Sequence, residues 1–172
     1  NAMIVSDKAE LKLAIPAIVF GAVGTCGQRC TSTRRLIAHK SIKAELIEKI
    51  QNAYKQIKIG DPLDEKNHVG PLIDTDAVKQ YNATIEKALA QGGKMIVEGG
   101  VIKGLGSDCY VQPCVIEIKH DAEIVHHETF APILYVLEYD NLEEALRIQN
   151  EVPQGLSSAI FTESLKEAEY FL

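Results

Sequence analysis

The hydrophobic positions of the chain alternate between helical spacing and the short continuous runs that are typical of buried strands. Helical spacing predicts helices over residues 41–60, 74–93, 141–152 and 164–172. Apolar runs predict strands within residues 34–41, 94–100, 110–118, 131–140 and 155–163. This alternation is typical of α/β domains, so we expect a three-layer α/β/α sandwich around a mostly parallel sheet.

Residues 7–26 differ from the other helical segments because apolar residues occur nearly all round the predicted helix. This pattern predicts a largely buried helix with Asp7 as its candidate N-cap. Ser41 and Gly60 are the candidate start and stop of the next helix. Residues 60–74 are punctuated by glycine and proline, which predicts a loop. No internal repeat or long linker divides the chain.

The composition is that of an ordinary soluble globular protein, with 172 residues, 46% of them hydrophobic and 24% charged. A net charge of −6 argues against a nucleic-acid partner, which requires a surplus of lysine and arginine. The longest apolar stretch is interrupted by Lys12 and Pro16 and is too short to span a membrane. No signal peptide is evident, so we expect reduced cysteines and a cytoplasmic location.

The four cysteines form two closely spaced pairs. Cys26 and Cys30 are separated by three residues, and Cys109 and Cys114 by four. Structural zinc sites usually use cysteines separated by two residues, so no metal site is predicted. Cys109 lies in a Gly/Ser loop and Cys114 in a strand, and both are interpreted as structural thiols.

Cys30 lies in a different setting. Gly27 allows the backbone to turn where the apolar helix ends, and Arg29 and Arg34 add positive charge nearby. Nearby cations favour the thiolate form that nucleophilic catalysis requires. Spacing alone leaves two interpretations open, a nucleophile or a buried core cysteine.

A second candidate site is the run "HHETFAP" at residues 126–132, immediately before the most apolar strand. A carboxylate at a sheet edge, here Glu128, can accept hydrogen bonds from two ribose hydroxyls. The alternative is a solvated loop acid. His126 and His127 could ligate a metal, but the spacing suggests no third ligand.

Four stretches together resemble the aldehyde dehydrogenase superfamily. They are "FGAVGTCGQRC", "GDPLDEKNHVGPLID", "ETFAP" and "QGLSSAIFTESL", and they occur in the order found in that family. The sequences "AVGTCGQRCTSTRRL" and "ETFAPILYV" most resemble those of the antiquitin branch, the α-aminoadipic semialdehyde dehydrogenases.

The resemblance implies a role for five residues. Cys30 corresponds to the nucleophile, which attacks the aldehyde carbon to form a thiohemiacetal. A hydride would then pass to the nicotinamide of the cofactor, and water would hydrolyse the resulting thioester to an acid. Glu128 corresponds to the glutamate that holds the cofactor ribose, and Phe130 to the aromatic residue beside that ribose. Arg29 corresponds to the arginine that meets the carboxylate of a semialdehyde substrate, and Thr31 would line the same pocket. The cofactor of the full-length enzyme would be NAD or NADP.

The resemblance also implies that residues 1–172 are a partial catalytic domain. The family's general-base glutamate, nucleotide-binding domain and C-terminal oligomerisation segment have no counterpart in the chain. We therefore expect this chain alone to bind no cofactor and to be inactive as a dehydrogenase. The full-length enzyme is expected to be a homo-oligomer acting on a small-molecule aldehyde, without nucleic-acid or membrane partners.

Two alternatives from other classes remain open at this point. One is a non-catalytic truncated module that assembles with intact subunits. The other is a cysteine-dependent esterase, which would need a histidine close to Cys30.

Overall fold

The computed structural model describes all residues from 1 to 172 and contains eight strands and five α-helices. The strands are β1 (Ala2–Val5), β2 (Arg35–His39), β3 (Lys94–Val97), β4 (Gly100–Val101), β5 (Val111–Gln112), β6 (Cys114–Glu117), β7 (Ile133–Tyr139) and β8 (Ser158–Phe161). The α-helices are α1 (Leu11–Val23), α2 (Lys43–Tyr54), α3 (Thr75–Ala90), α4 (Leu142–Asn150) and α5 (Leu165–Phe171). Two short 3₁₀ helices span Gly24–Gly27 and Glu123–His126.

Six strands form the central sheet in the order β3-β6-β7-β2-β1-β8, while β4 and β5 form a separate ribbon. Every neighbouring pair in the central sheet is parallel except β3 and β6. Consecutive residues of β2 and β7 are buried, and alternate side chains of a strand point to opposite faces, so helices and loops cover both faces. The predicted three-layer fold with a mostly parallel sheet is confirmed.

The parallel register brings four separate segments to the end of the sheet at which its parallel strands begin. Strands β1, β2, β7 and β8 run in the same direction, so the residues that precede them meet at their amino ends. These residues are Asn1, the turn before Arg35, the segment before Ile133 and the loop before Ser158. The two motifs that carry the family resemblance therefore lie at the same edge, although 97 residues separate Arg34 from Ala131.

The first helix departs from the prediction in its start and in its burial. It begins at Leu11, and its N-cap is Glu10, whose carboxylate accepts from the backbone N–H of Lys12, not Asp7. The prediction of a largely buried helix is also wrong, because Leu13 and Phe20 are 69% and 68% exposed. Helix α1 packs on α2 and β7 with one face only. No helix of the protein combines the length and apolar content that a membrane crossing requires.

Three further boundaries differ from those predicted. Helix α2 begins at Lys43 without a side-chain cap, because the Ser41 hydroxyl bonds to His39 Nδ1 at 2.7 Å instead. The same helix ends at Tyr54, well before Gly60.

Pro113 divides the strand predicted over 110–118 into β5 and β6, since proline has no N–H to donate to a neighbouring strand. The sequence pattern does not indicate β1, because so short a strand shows too little periodicity.

The carboxylate of Glu167 joins the ends of β1 and β8 to α5. It accepts hydrogen bonds from the hydroxyls of Ser6 and Thr162, both at 2.6 Å, and pairs with the ammonium of Lys8. Burial of the carboxyl group opposes its ionisation, but these three donors outweigh that effect and hold its pKa at about 2. The ionised form of Glu167 therefore stabilises the fold.

We expect Glu167→Gln to lower the free energy of unfolding by about 1–2 kcal/mol near neutral pH, after allowing for solvent screening of Lys8. Because the folded pKa lies below the ordinary value of 4.5, the contribution is complete above that value and is lost as pH falls toward about 2. Urea unfolding across this pH range should show the difference from wild type narrowing. Glu169→Gln, an exposed position on the same helix, should show neither effect, and a pH-independent loss in Glu167→Gln would contradict this account.

Candidate active site

A sharp reversal of the backbone follows α1 and leads to the Cys30 turn. Thr25, Cys26 and Gly27 all have left-handed backbone angles, with φ of 55°, 53° and 66°. Residues other than glycine adopt this conformation only at a cost, so surrounding contacts must maintain it. The reversal redirects the chain from the end of α1 towards the start of β2.

Cys30 occupies a corner of the turn that follows. The N–H of Ser32 donates to the carbonyl of Arg29 at 3.0 Å, and the hydroxyl of Ser32 accepts from the N–H of Arg29 at 3.1 Å. These two bonds close the turn around Cys30 and Thr31. The backbone N–H of Cys30 donates to no group of the chain, so it is free to bind an incoming oxygen.

The four cysteines differ sharply in exposure. Cys30 is exposed, Cys109 is half-buried, and Cys26 and Cys114 are buried. Burial raises the pKa of the Cys26 thiol to about 12, and that of Cys114 likewise to about 12, so both remain protonated. The alternative that Cys30 is a core cysteine is therefore wrong, because the core position of the pair belongs to Cys26.

Arg34 connects the Cys30 turn to the segment before β7. Its guanidinium donates to the carbonyls of Gly27 at 2.6 Å, Arg29 at 3.2 Å and Ala131 at 3.2 Å. The same group lies 5.0 Å from the centre of the Phe130 ring, a cation–π contact. Burial lowers the pKa of Arg34, which is only 8% exposed, and the nearby charge of Glu128 opposes that shift.

Glu128 and Phe130 remain accessible beside this junction. The Glu128 side chain is exposed and makes no ion pair or hydrogen bond within the chain, so both of its oxygens are free acceptors. Phe130 is 45% exposed and is held from one side by Arg34. A free carboxylate next to an accessible aromatic ring fits a ribose, whose two hydroxyls can donate to one carboxylate.

Arg29 lies on the other side of the turn, against α1. Its guanidinium is 4.9 Å from the centre of the Phe20 ring and donates to the Phe20 carbonyl at 3.5 Å. Its Nε has no hydrogen-bond partner. Arg29 and Thr31 both line a cavity of about 310 Å³, together with Ser157 and Ser158. The structure thus places Arg29, Thr31 and Cys30 around one turn, with the positive charge of Arg29 at the wall of the cavity.

Sequence reasoning missed two residues that hold this site together. The Gln28 side chain accepts from the N–H of Ile73 at 2.8 Å and donates to the carbonyl of Pro71 at 3.2 Å, which fastens the loop over 60–74 to the Cys30 turn. The Asn1 side chain contacts the turn from the start of β1. The glutamine of the G-Q-x-C motif could have indicated the first contact, but no local pattern indicated the second.

The alternative chemistries find little support in the geometry. None of the five histidines hydrogen-bonds to Cys30, and their ring nitrogens contact other partners. No group of three or more His, Cys, Asp or Glu side chains converges in a way that could hold a metal ion.

Fold and site together define an α/β domain with one exposed thiol, on a turn that Arg34 links to a segment with an unpaired, exposed carboxylate. A sequence profile of the Aldehyde dehydrogenase family matches residues 1–172. The chain belongs to the aldehyde dehydrogenase family, as the motif resemblance predicted.

Relatives within the family support the branch that the motifs indicated. The chain is 47% identical over 164 residues to aldehyde dehydrogenase family 7 member A1 of Brassica napus, a match that covers 95% of this chain and 33% of the relative. It is 46% identical over 166 residues to α-aminoadipic semialdehyde dehydrogenase of Mus musculus, covering 96% and 30%. The chain thus spans about a third of the length of the curated relatives it matches.

Solved structures agree with the observed fold. The crystal structure of betaine aldehyde dehydrogenase from Staphylococcus aureus, in complex with NAD⁺, superposes with a TM-score of 0.94 at 27% identity. The match covers 99% of this chain and 34% of that one.

Proposed function

We propose that residues 1–172 are part of the catalytic domain of an NAD(P)-dependent aldehyde dehydrogenase, with Cys30 as its nucleophile. One observation carries the proposal: the Cys30 thiol is exposed at a turn whose own N–H is free, and Arg34 links that turn to the segment that carries the accessible Glu128 and Phe130. The proposal extends to a homo-oligomeric full-length enzyme, of which this chain would supply the thiol side of the active site.

The chemistry assigned to Cys30 follows from its two free groups. The sulfur attacks the aldehyde carbon, a carbon–sulfur bond forms, and the carbonyl electron pair moves onto oxygen. The free N–H of Cys30 lies on the same residue as the sulfur and can donate to that developing negative charge. The proton that the thiol gives up reaches this oxygen through solvent, which completes a thiohemiacetal.

The site beside Phe130 fits the family's cofactor. A nicotinamide cofactor, when bound, accepts a hydride from the substrate carbon. Glu128 would accept hydrogen bonds from the ribose hydroxyls, and Phe130, steadied by Arg34, would pack against that sugar. We infer that these two residues orient the cofactor relative to the Cys30 turn.

The substrate we propose is an aldehyde that also carries a carboxylate, of the α-aminoadipic semialdehyde kind. Arg29 presents a planar guanidinium at the wall of the 310 Å³ cavity, and the fork of such a group matches two carboxylate oxygens. Thr31 lines the same cavity. The name of the Mus musculus relative supports this substrate class.

Aldehyde protection of Cys30 tests the proposal on this chain without any cofactor. The chain is alkylated with iodoacetamide at rising concentrations of 5-oxopentanoate, and modification of each cysteine peptide is followed by mass spectrometry. We expect Cys30 to be protected at a concentration about tenfold lower than Cys109, whose half-buried thiol reports intrinsic thiol–aldehyde addition. Equal protection of both thiols would refute the assignment of Cys30.

The same assay separates the substrate class from the nucleophile. Arg29→Gln should weaken protection by 5-oxopentanoate about tenfold, because a charge-assisted contact is lost, and should change protection by pentanal less than about twofold. Arg147→Gln, on the exposed face of α4, is the matched control and should change neither. If Arg29→Gln weakens both aldehydes alike, the carboxylate contact is wrong while the nucleophile stands.

A further inference from the structure

The side chain of Asn1 fills every hydrogen-bonding position that an amide offers. Its Nδ2 donates to the carbonyl of Cys30 at 2.7 Å and to that of Ser32 at 3.0 Å. Its Oδ1 accepts from the N–H groups of Leu156 and Ser157, both at 3.0 Å. An amide has two donor hydrogens and two acceptor lone pairs, so all four are used.

The backbone of the same residue is anchored independently of its side chain. The carbonyl of Asn1 accepts from the N–H groups of Arg34 at 3.2 Å and Arg35 at 3.3 Å, which aligns β1 with β2. Asn1 is 9% exposed, so water does not compete strongly for its amide. The side chain is therefore a rigid link between the Cys30 turn and the loop before β8.

The contact with Asn1 is the only hydrogen bond that Cys30 makes in the chain. The left-handed residues before the Cys30 turn make no helical hydrogen bonds with it. The hydrogen bonds of the sheet begin only at Arg35, after the turn. With the carbonyls of Cys30 and Ser32 both held by one amide, the peptide planes on either side of the turn cannot rotate freely. The N–H of Cys30 lies in the preceding peptide plane, whose Arg29 carbonyl is already hydrogen-bonded within the turn. The bond from Asn1 fixes the following plane, so the two planes together set the direction of the Cys30 sulfur relative to its N–H.

We infer that Asn1 is a positioning residue for Cys30, an inference that rests on the proposed function. It acts by keeping the sulfur and the free N–H of Cys30 directed at the same point, where an aldehyde carbon and its oxygen are received. Donors that are already oriented stabilise a developing oxyanion without reorganisation at the moment of attack. Loss of the link should weaken aldehyde addition and leave the exposure of the sulfur unchanged.

Asn1→Asp tests the inference with almost no change in shape. The substitution keeps one oxygen for Leu156 and Ser157 but replaces the donor group by an oxygen that faces two carbonyls. We expect the concentrations of 5-oxopentanoate and of pentanal that protect Cys30 to rise about tenfold alike. Simple alkylation of Cys30 by iodoacetamide needs no oxyanion donor and should change less than about twofold.

Asn52→Asp, at an exposed site on α2, is the matched control and should change neither measurement. Aldehyde protection at the wild-type level in Asn1→Asp overturns the positioning role and leaves the proposed function intact. An equal fall in alkylation and aldehyde protection also overturns it, since that result indicates general loosening of the turn.

A second variant keeps the test decisive if Asn1→Asp does not fold. Asn1→Ser retains a hydroxyl that can make only part of the four bonds, and we expect an increase of at least about threefold in the protecting concentration of both aldehydes. No increase overturns the inference. A wild-type chain in which Cys30 is protected no better than Cys109 overturns the proposed function itself, which distinguishes that failure from a failure of Asn1.

Discussion

Replacing Gly27 with alanine is expected to destabilise the chain by about 3–4 kcal/mol, a large fraction of the stability of a typical domain. A Cβ at this position would lie 2.5 Å from the carbonyl oxygen of Ala131 and 2.8 Å from the nitrogen of Pro132. Both are backbone atoms of the segment immediately before β7, so relief would require moving the chain where it enters that strand. The left-handed φ of 66° adds roughly 1 kcal/mol for any residue with a Cβ. Urea unfolding of the two chains measures the loss.

Gly92 provides the matched control for this substitution. It also has a left-handed φ, of 89°, but a Cβ added there would have no neighbouring atom within 4 Å. Gly92→Ala should therefore cost only the conformational term of about 1 kcal/mol. If the two substitutions destabilise the chain equally, the close approach of Gly27 to the segment before β7 is not what requires glycine there.

Replacing Arg34 with methionine should lower the free energy of unfolding by about 2–4 kcal/mol. The substitution keeps an unbranched side chain but leaves the carbonyls of Gly27, Arg29 and Ala131 without their donor in a buried setting. It also removes the cation above Phe130. Because the Cys30 turn would lose its connection to that segment, 5-oxopentanoate should protect Cys30 less well, by about tenfold. Urea unfolding and the alkylation assay measure the two effects.

Two further variants isolate the reason for the Arg34 effect. Arg34→Lys should recover only part of the stability, because one ammonium group cannot match three carbonyls arranged around a planar fork. Arg147→Met removes an exposed arginine whose partners are Glu144 and Glu151, and should cost less than about 1 kcal/mol. An Arg34→Met chain as stable as Arg147→Met would show that the junction does not depend on the guanidinium.

The sequence pattern located well those helices and strands in which the buried residues of the structure are the apolar residues of the pattern. Helix α3 has its buried positions on one face and is capped by Asp74, and β7 is a continuous apolar run at the centre of the sheet. Their environment is uniform along each face, so local pattern is sufficient. The prediction for helix α1 was less accurate because apolar residues surround it while only one face is covered within the chain.

The residues of the family motifs located the candidate site more completely than the spacing of hydrophobic residues did. They identified the family, and they singled out Cys30, Glu128, Phe130, Arg29 and Thr31, whose roles stay predictions to be tested by the substitutions described above. They could not show that Cys26 rather than Cys30 lies in the core, since both occur in the same run of small residues. That distinction depends on the backbone reversal at Thr25 and Cys26, which no propensity scale favours.

The sequence by itself determined the α/β class, the order of most elements and the family, because these depend on periodicity and on short motifs that are local in the chain. Only the tertiary structure decided that Asn1, Arg34 and the segment around Phe130 meet at the Cys30 turn. Their hydrogen bonds join residues far apart in sequence, and parallel strand register alone brings the amino ends of β1, β2, β7 and β8 to one edge. A contact of that kind leaves no periodic trace in either of the segments that make it.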